Sequence, residues 1–214
     1  MGERSLDFYH RRLSSSPDYS ITREMLRNAG IGRSYWSVSV KQIPDNCPYK
    51  ISLQEMIASL PEDVRRGKGV VFYGLHGYGK TSAAEIMLKA AMARGGQCFS
   101  RMLSSIEHAY EKRWTETNMD GIEVWDMLTK CQLVTLDDLG HELAAGGYRV
   151  GDIRIFEELL RQRIDDRLVS YITTNLPIKE LPKQYPSIKS ILFDPTRFYM
   201  VDVTGHNWRR NKAK

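Results

Sequence analysis

The chain contains Gly74-Leu75-His76-Gly77-Tyr78-Gly79-Lys80-Thr81, which meets the spacing G-x-x-x-x-G-K-[ST] at every fixed position. Glycines at those places let the backbone curl until successive N–H groups face one point. Lys80 adds a point charge, and Thr81 adds a hydroxyl. Together these groups suit the phosphates of a nucleoside triphosphate and its Mg²⁺. Gly74, Gly77, Tyr78, Gly79, Lys80, Thr81 and Ser82 are therefore the expected contacts to ATP, with Thr81 facing the metal.

A second group of residues stands where a nucleotide site needs its acids. The apolar run Leu133-Val134-Thr135-Leu136 ends in Asp137-Asp138. A buried strand that delivers a carboxylate to its C-terminal end places it beside a phosphate loop in a parallel sheet. Asp137 is expected on the Mg²⁺ side, and Asp138 is expected to orient or activate an attacking water. Tyr171-Ile172-Thr173-Thr174-Asn175 ends another buried run in a polar side chain, so Asn175 is expected at the same edge, where its amide would orient water.

The flanking patterns supply the elements that must hold these groups. Gly69-Val70-Val71-Phe72-Tyr73 reads as a strand entering the loop, and Ser82 to Met92 reads as the helix leaving it. Such a helix adds the partial positive charge of its N-terminus to the phosphate site. Upstream, Ser20 to Ala29 reads as a capped helix stopped by Gly30, and Ile43 to Pro48 as a turn-rich boundary. Ser52-Leu53-Gln54-Glu55 has the form of a capping box opening a helix that Pro61 should end. Downstream, Gln97 to Ser100 reads as a second strand. A long helical stretch capped at Ser104 or Ser105 should be divided by Gly121, with Val124, Trp125, Met127 and Leu128 as its apolar stripe. A Gly-rich loop through Gly146-Gly147, a helix over 152–166, a strand over 169–174, a short helix over 187–192 and a strand over 198–203 complete the series. Strands alternating with helices imply an α/β fold whose parallel sheet carries helices on both faces.

Composition narrows the class. The 214 residues suit one α/β domain with a short extension, and 42% hydrophobic with 27% charged residues is ordinary for a folded chain. No apolar run approaches the roughly 18 residues a membrane span requires. The N-terminus is too charged for a signal peptide, and Leu6 occupies the position where a myristoylation motif has Ser or Thr, so a cytoplasmic protein is expected. Cys47, Cys98 and Cys131 are too far apart for a metal or redox pair. A net charge of +5 mildly favours a polyanionic partner, although the charge is spread along the chain. Isolated histidines, His76 and His141, lack the spacing of metal ligands.

Three stretches carry a family resemblance: residues 67–74 leading into the phosphate loop, Leu136-Asp137-Asp138-Leu139-Gly140-His141-Glu142, and Ile172-Thr173-Thr174-Asn175-Leu176. The sequence resembles AAA+ ATPases of the DnaC/DnaI helicase-loader and IstB-like transposition-helper clade over roughly residues 30–210. The resemblance implies a P-loop NTPase with an AAA+ core over 46–214, a minimal or absent C-terminal lid, and an extension over 1–45 as a helicase-binding segment. It also implies side-by-side assembly, with an arginine just before the fifth strand reaching the neighbour's γ-phosphate. Arg197 occupies that place, ahead of Arg161, Arg163 and Arg167 as alternatives. Residues 29–36 are similar to the segment that lies near the adenine, where Tyr35 or Trp36 would stack. Arg209, in Gly205-His206-Asn207-Trp208-Arg209, resembles a C-terminal G-x-x-x-R element.

The expected function is thus an ATP-dependent loader of a ring-shaped replicative helicase, phage or mobile-element encoded, acting as an oligomer on single-stranded DNA. The alternative is a transposition helper assembling on duplex DNA. Arg101, Lys112 and Arg113, beside Phe99 and Tyr110, are candidates for phosphate contact and base stacking. A small-molecule kinase is disfavoured, because Asp138 and Asn175 suit hydrolysis by water better than transfer to a metabolite.

Overall fold

A computed structural model describes residues 13–106, 110, 119–140 and 150–208. Five strands form one sheet: β1 (Gly69–Tyr73), β2 (Cys98–Met102), β3 (Leu133–Leu139), β4 (Val169–Thr174) and β5 (Phe198–Asp202). Their order is β2-β3-β4-β1-β5, and every pairing is parallel. The described α-helices are α1 (Arg23–Asn28), α2 (Tyr49–Arg66), α3 (Lys80–Met92), α4 (Met119–Lys130), α5 (Val150–Asp165), α6 (Leu181–Gln184) and α7 (Lys189–Leu192).

The strands are apolar at successive positions because both faces of the sheet are covered. Successive side chains point to opposite faces, so each strand feeds two cores. Val70, Phe72, Leu133, Val169 and Tyr171 pack with residues of α2 and α3. Val71, Val134, Leu136 and Ile172 pack with Trp125 and Leu128 of α4 and with Phe156, Leu159 and Leu160 of α5. Arg163, fully buried, ties this second layer to the sheet. Its guanidinium donates to the carbonyls of Leu128, Cys131 and Val169 and to Ser170 Oγ, at 2.6–3.0 Å.

Residues 13–45 share the first core. Thr22 caps α1 by accepting from the Met25 N–H at 3.1 Å, and the chain turns at Gly30 as the sequence predicts. Leu13, Leu26, Ala29, Ile31 and Ile43 are buried in the same cluster as α2 and α3. The Ala29 carbonyl accepts from the Ser100 N–H at 2.7 Å, which gives the outer side of edge strand β2 a backbone partner.

Three local expectations are corrected. Helix α2 starts at Tyr49, three residues before the anticipated capping box, and runs through Pro61 to Arg66. Pro48, with φ −57°, presets the first turn. Beyond Pro61, Asp63 is locked by Ser59 Oγ at 2.5 Å and Tyr199 Oη at 3.1 Å, while Val64 is buried. This anchoring, with Leu53, Met56 and Leu60 buried along the same helix, outweighs the roughly 3 kcal/mol that an interior proline costs. Gly121 lies inside α4 instead of dividing it, because a glycine costs a helix only about 1 kcal/mol and the buried Trp125 and Leu128 hold the helix on the sheet. Strand β3 extends past Leu136 and includes Asp137 and Asp138. The predicted Gly146-Gly147 loop and the residues His141, Glu142 and Arg209 lie outside the described residues.

Candidate nucleotide site

Because all strands run in one direction, their C-terminal ends share an edge, where a ligand crevice forms. The loop after β1 enters at that edge. Gly74, Gly77 and Gly79 have φ of 138°, 86° and 97°, values that L side chains rarely adopt. Space imposes a second constraint: a Cβ on Gly74 would lie 2.7 Å from the Val203 carbonyl oxygen, and one on Gly79 would lie 2.9 Å from Trp208 Nε1. Lys80 opens α3 with its side chain buried at 6% exposure, and its ammonium donates to the Leu75 carbonyl at 2.8 Å. Tyr78 and Ser82 flank this stretch, both half-buried.

The acids reach the loop through β3. Thr81 Oγ1 donates to Asp137 Oδ1 at 2.9 Å, and Thr173 Oγ1 donates to the same oxygen at 2.6 Å. The Thr173 oxygen also accepts the Asp138 N–H at 2.9 Å, so one hydroxyl fixes both aspartates. The register of β3 against β4 shifts between Leu136 and Leu139, and Asp138 has a φ of +66°. A bulge of this kind re-aims side chains. It lets Asp137 meet α3 while Asp138 accepts from the Asn175 amide at the end of β4. Burial pushes the Asp137 carboxyl up from its ordinary range. The hydrogen bonds from Thr173 and Thr81 oppose that rise, Asp138 adds to it, and Lys80 counters it.

The structure thus brings together Lys80, Thr81, Asp137, Asp138 and Asn175. The oxygens of Thr81 and Asp137 form a hard donor pair suited to Mg²⁺, which takes one or two protein oxygens plus substrate phosphates. Among the described residues no group of three or more His, Cys, Asp or Glu could hold a metal alone. Thr173 was not singled out from the sequence, although its position two residues before Asn175 on the same strand is a usable signal.

Arg197 stands elsewhere. Its carbonyl accepts from Gly69 at 2.8 Å, and the next residue, Phe198, pairs with Gly69. It therefore lies at the N-terminal edge of the sheet, about 16 Å of strand away from the loop. Its guanidinium is 3.3 Å from Asp194 Oδ2 with 46% of the side chain exposed. Arg163 is excluded as a mobile cation by its burial, and Arg161 donates to the Ser187 carbonyl at 2.8 Å.

The aromatic candidates pack within the fold. Tyr35 and Trp36 lie against the first core, and the Lys89 ammonium grips the carbonyls of Tyr35, Trp36 and Val38. Lys89 is about 13 Å along α3 from Lys80, so this turn is tied to the far end of the helix. Phe99 is buried at 3% exposure with the Arg101 guanidinium 4.9 Å from its ring centroid, and Tyr110 stacks edge-on against Trp125. Neither ring is a free stacking platform. Lys112 and Arg113 lie outside the described residues.

No sequence-family model matches the chain, and no curated protein does so by sequence. Solved structures do match. The DnaC helicase loader superposes with a TM-score of 0.63 at 17% identity, over 81% of this chain and 100% of that one. DnaI gives 0.60 at 20% identity, over 81% and 94%. AMPPCP-bound DnaA from Aquifex aeolicus gives 0.54 at 13% identity, over 81% of this chain and 52% of that one. With its five-stranded parallel sheet, flanking helices and glycine-rich loop after β1, the chain shares the core fold of the DnaC and DnaI structures.

Proposed function

We propose that the protein is a Mg²⁺-dependent ATPase and a helicase loader of the DnaC type. The observation that carries the ATPase reading is the pairing of Thr81 with Asp137 beside the phosphate loop, next to Asp138 and Asn175. Backbone N–H groups of Gly74 to Gly79, the Lys80 ammonium and the N-terminus of α3 would hold the triphosphate. Lys80 would exchange its Leu75 carbonyl for a phosphate oxygen. Thr81 and Asp137 would hold Mg²⁺, which supplies charge neutralisation on the phosphates. Asn175 restrains the Asp138 carboxylate, leaving its other oxygen to orient a water for in-line attack.

Arg197 lies too far from its own loop to act there, yet it is exposed on the opposite edge. That placement supports a role toward a neighbouring subunit, where a guanidinium stabilises charge developing on the transferred phosphoryl group. The loader reading is supported by the match to DnaC over that chain's whole length. Residues 1–45 would engage the helicase, and single-stranded DNA would be held by the assembled ring or spiral. A phage or mobile-element origin and a cytoplasmic location belong to the same reading. Among the described residues no helix is long and apolar enough to cross a membrane.

Capture of a hexameric replicative helicase by the full-length protein with ATP tests the reading. Failure to capture it, together with ATP-dependent filaments on duplex DNA, would move the assignment to the IstB-like transposition helper.

A further inference from the structure

The segment after β5 runs along the phosphate loop on the side away from the acids. The Val203 N–H donates to the Tyr73 carbonyl at 2.9 Å, just where the loop begins, and its own carbonyl leaves no room for a Cβ on Gly74. Five residues later the Trp208 N–H donates to the Gly77 carbonyl at 2.9 Å. The Trp208 indole lies over Gly79, with an ideal Cβ there 2.9 Å from Nε1 and 3.2 Å from Cδ1. Tyr49, buried at 3% exposure at the start of α2, completes this surface: its hydroxyl is 3.4 Å from the same ideal Cβ and donates to the Tyr78 carbonyl at 3.5 Å. The His206 ring meets the indole edge-on at 4.7 Å.

A phosphate loop must turn its N–H groups inward, so its carbonyls face outward and need partners of their own. Here two of them, Gly77 and Tyr78, are taken by the Trp208 backbone N–H and the Tyr49 hydroxyl. We propose that Trp208 is a positioning residue for the phosphate loop: its backbone N–H anchors the strap at Gly77, and its indole, packed over Gly79, holds the left-handed turn there in the phosphate-binding conformation before nucleotide arrives. Trp208 touches neither phosphate nor metal in this role. It acts by removing loop conformations that the nucleotide would otherwise have to select against, and ordering costs of this kind appear directly in affinity. The inference rests on the nucleotide-binding reading above.

The test compares wild type, Trp208→Ala and Trp208→Phe as full-length proteins. Affinity for a fluorescent ATP analogue with Mg²⁺, steady-state KM and kcat for ATP, and the melting temperature without nucleotide are measured on each. Trp208→Ala is expected to weaken nucleotide binding and raise KM by about tenfold, with kcat at saturation within about twofold of wild type. Trp208→Phe, which restores a flat ring over Gly79, is expected to recover most of the affinity. Wild-type affinity in Trp208→Ala overturns the proposal. So does a loss of affinity that Phe fails to recover, or one that merely follows a fall in nucleotide-free melting temperature. If wild type itself binds no nucleotide, the site assignment fails instead, so the two failures are distinguishable.

Discussion

Thr81 and Asp137, 56 positions apart in the chain, share a 2.9 Å hydrogen bond that joins the first turn of α3 to the bulged end of β3. The Thr81 proton is spent on the carboxylate, so the lone pairs of its oxygen stay available to a cation. Asp137 also accepts from Thr173, and the Asp138 N–H is bonded to that same hydroxyl. The phosphate loop, the acids and β4 are therefore mechanically one unit.

Substitutions within this unit should separate binding from turnover. Lys80→Ala removes the buried ammonium and is expected to abolish nucleotide binding, read by equilibrium titration with a fluorescent ATP analogue. Asp138→Asn keeps the shape and is expected to retain binding while ATP turnover falls by about 10²-fold or more. Comparable turnover in Asp138→Asn and wild type would remove Asp138 from the chemistry.

Thr173→Val should uncouple the two aspartates without creating a cavity. The variant loses the donor to Asp137 Oδ1 and the acceptor for the Asp138 N–H, and a buried polar group left unpaired costs about 1–3 kcal/mol. A lower melting temperature together with a higher Mg²⁺ requirement for turnover is expected. An unchanged Mg²⁺ dependence would confine Thr173 to a structural role.

Arg197 should matter only between subunits. Arg197→Ala is expected to leave nucleotide affinity unchanged and to lower turnover of the assembled protein by about 10³-fold. Mixing Arg197→Ala with Asp138→Asn protomers should restore part of the activity, since some interfaces then pair an intact arginine with an intact aspartate. No recovery on mixing would place the finger on another residue.

Glu85 gives the protein an inverted carboxylate response to pH. It is buried between α3 and β2, where Ser100 Oγ donates to it at 2.5 Å, and burial pushes its carboxyl from 4.5 up to about 7. The folded chain thus keeps a proton that the unfolded chain releases between about pH 4.5 and 7. Stability is then expected to fall as pH rises through that window, by up to about 3 kcal/mol, and to level off above it. Asp137, also raised by burial, contributes in the same sense. Glu85→Gln retains an acceptor for Ser100 and should remove most of the fall, which urea unfolding of both proteins at pH 5 and pH 8 would reveal. Parallel losses in the two proteins would refute the assignment.

Much of the fold was legible because local chemistry and the global fold agree. The apolar runs at β1, β3 and β4 can be satisfied only in a sheet covered on both faces, and the glycine spacing before Lys80 has few other uses. The errors have a common origin. Local propensity alone makes Pro61 a helix stop, whereas Asp63, held by Ser59 and Tyr199, anchors the helix from beyond. Phe99 beside Arg101 looks the same in sequence whether the ring is an exposed stacking platform or, as here, buried.

The sequence by itself determined the glycine-rich turn before Lys80, the pair of aspartates that ends β3 and the parallel α/β class, since each follows from residue type and spacing along a few adjacent positions. Only the tertiary structure decided that Thr173 fixes both aspartates, that Arg197 faces away from its own loop, that Arg163 is a buried clamp and that Trp208 closes over Gly79. Those relationships depend on strand order, on a one-residue shift in β3 and on which carbonyls are left without partners. Such properties are set by contacts between segments far apart in the chain, and no local pattern encodes them.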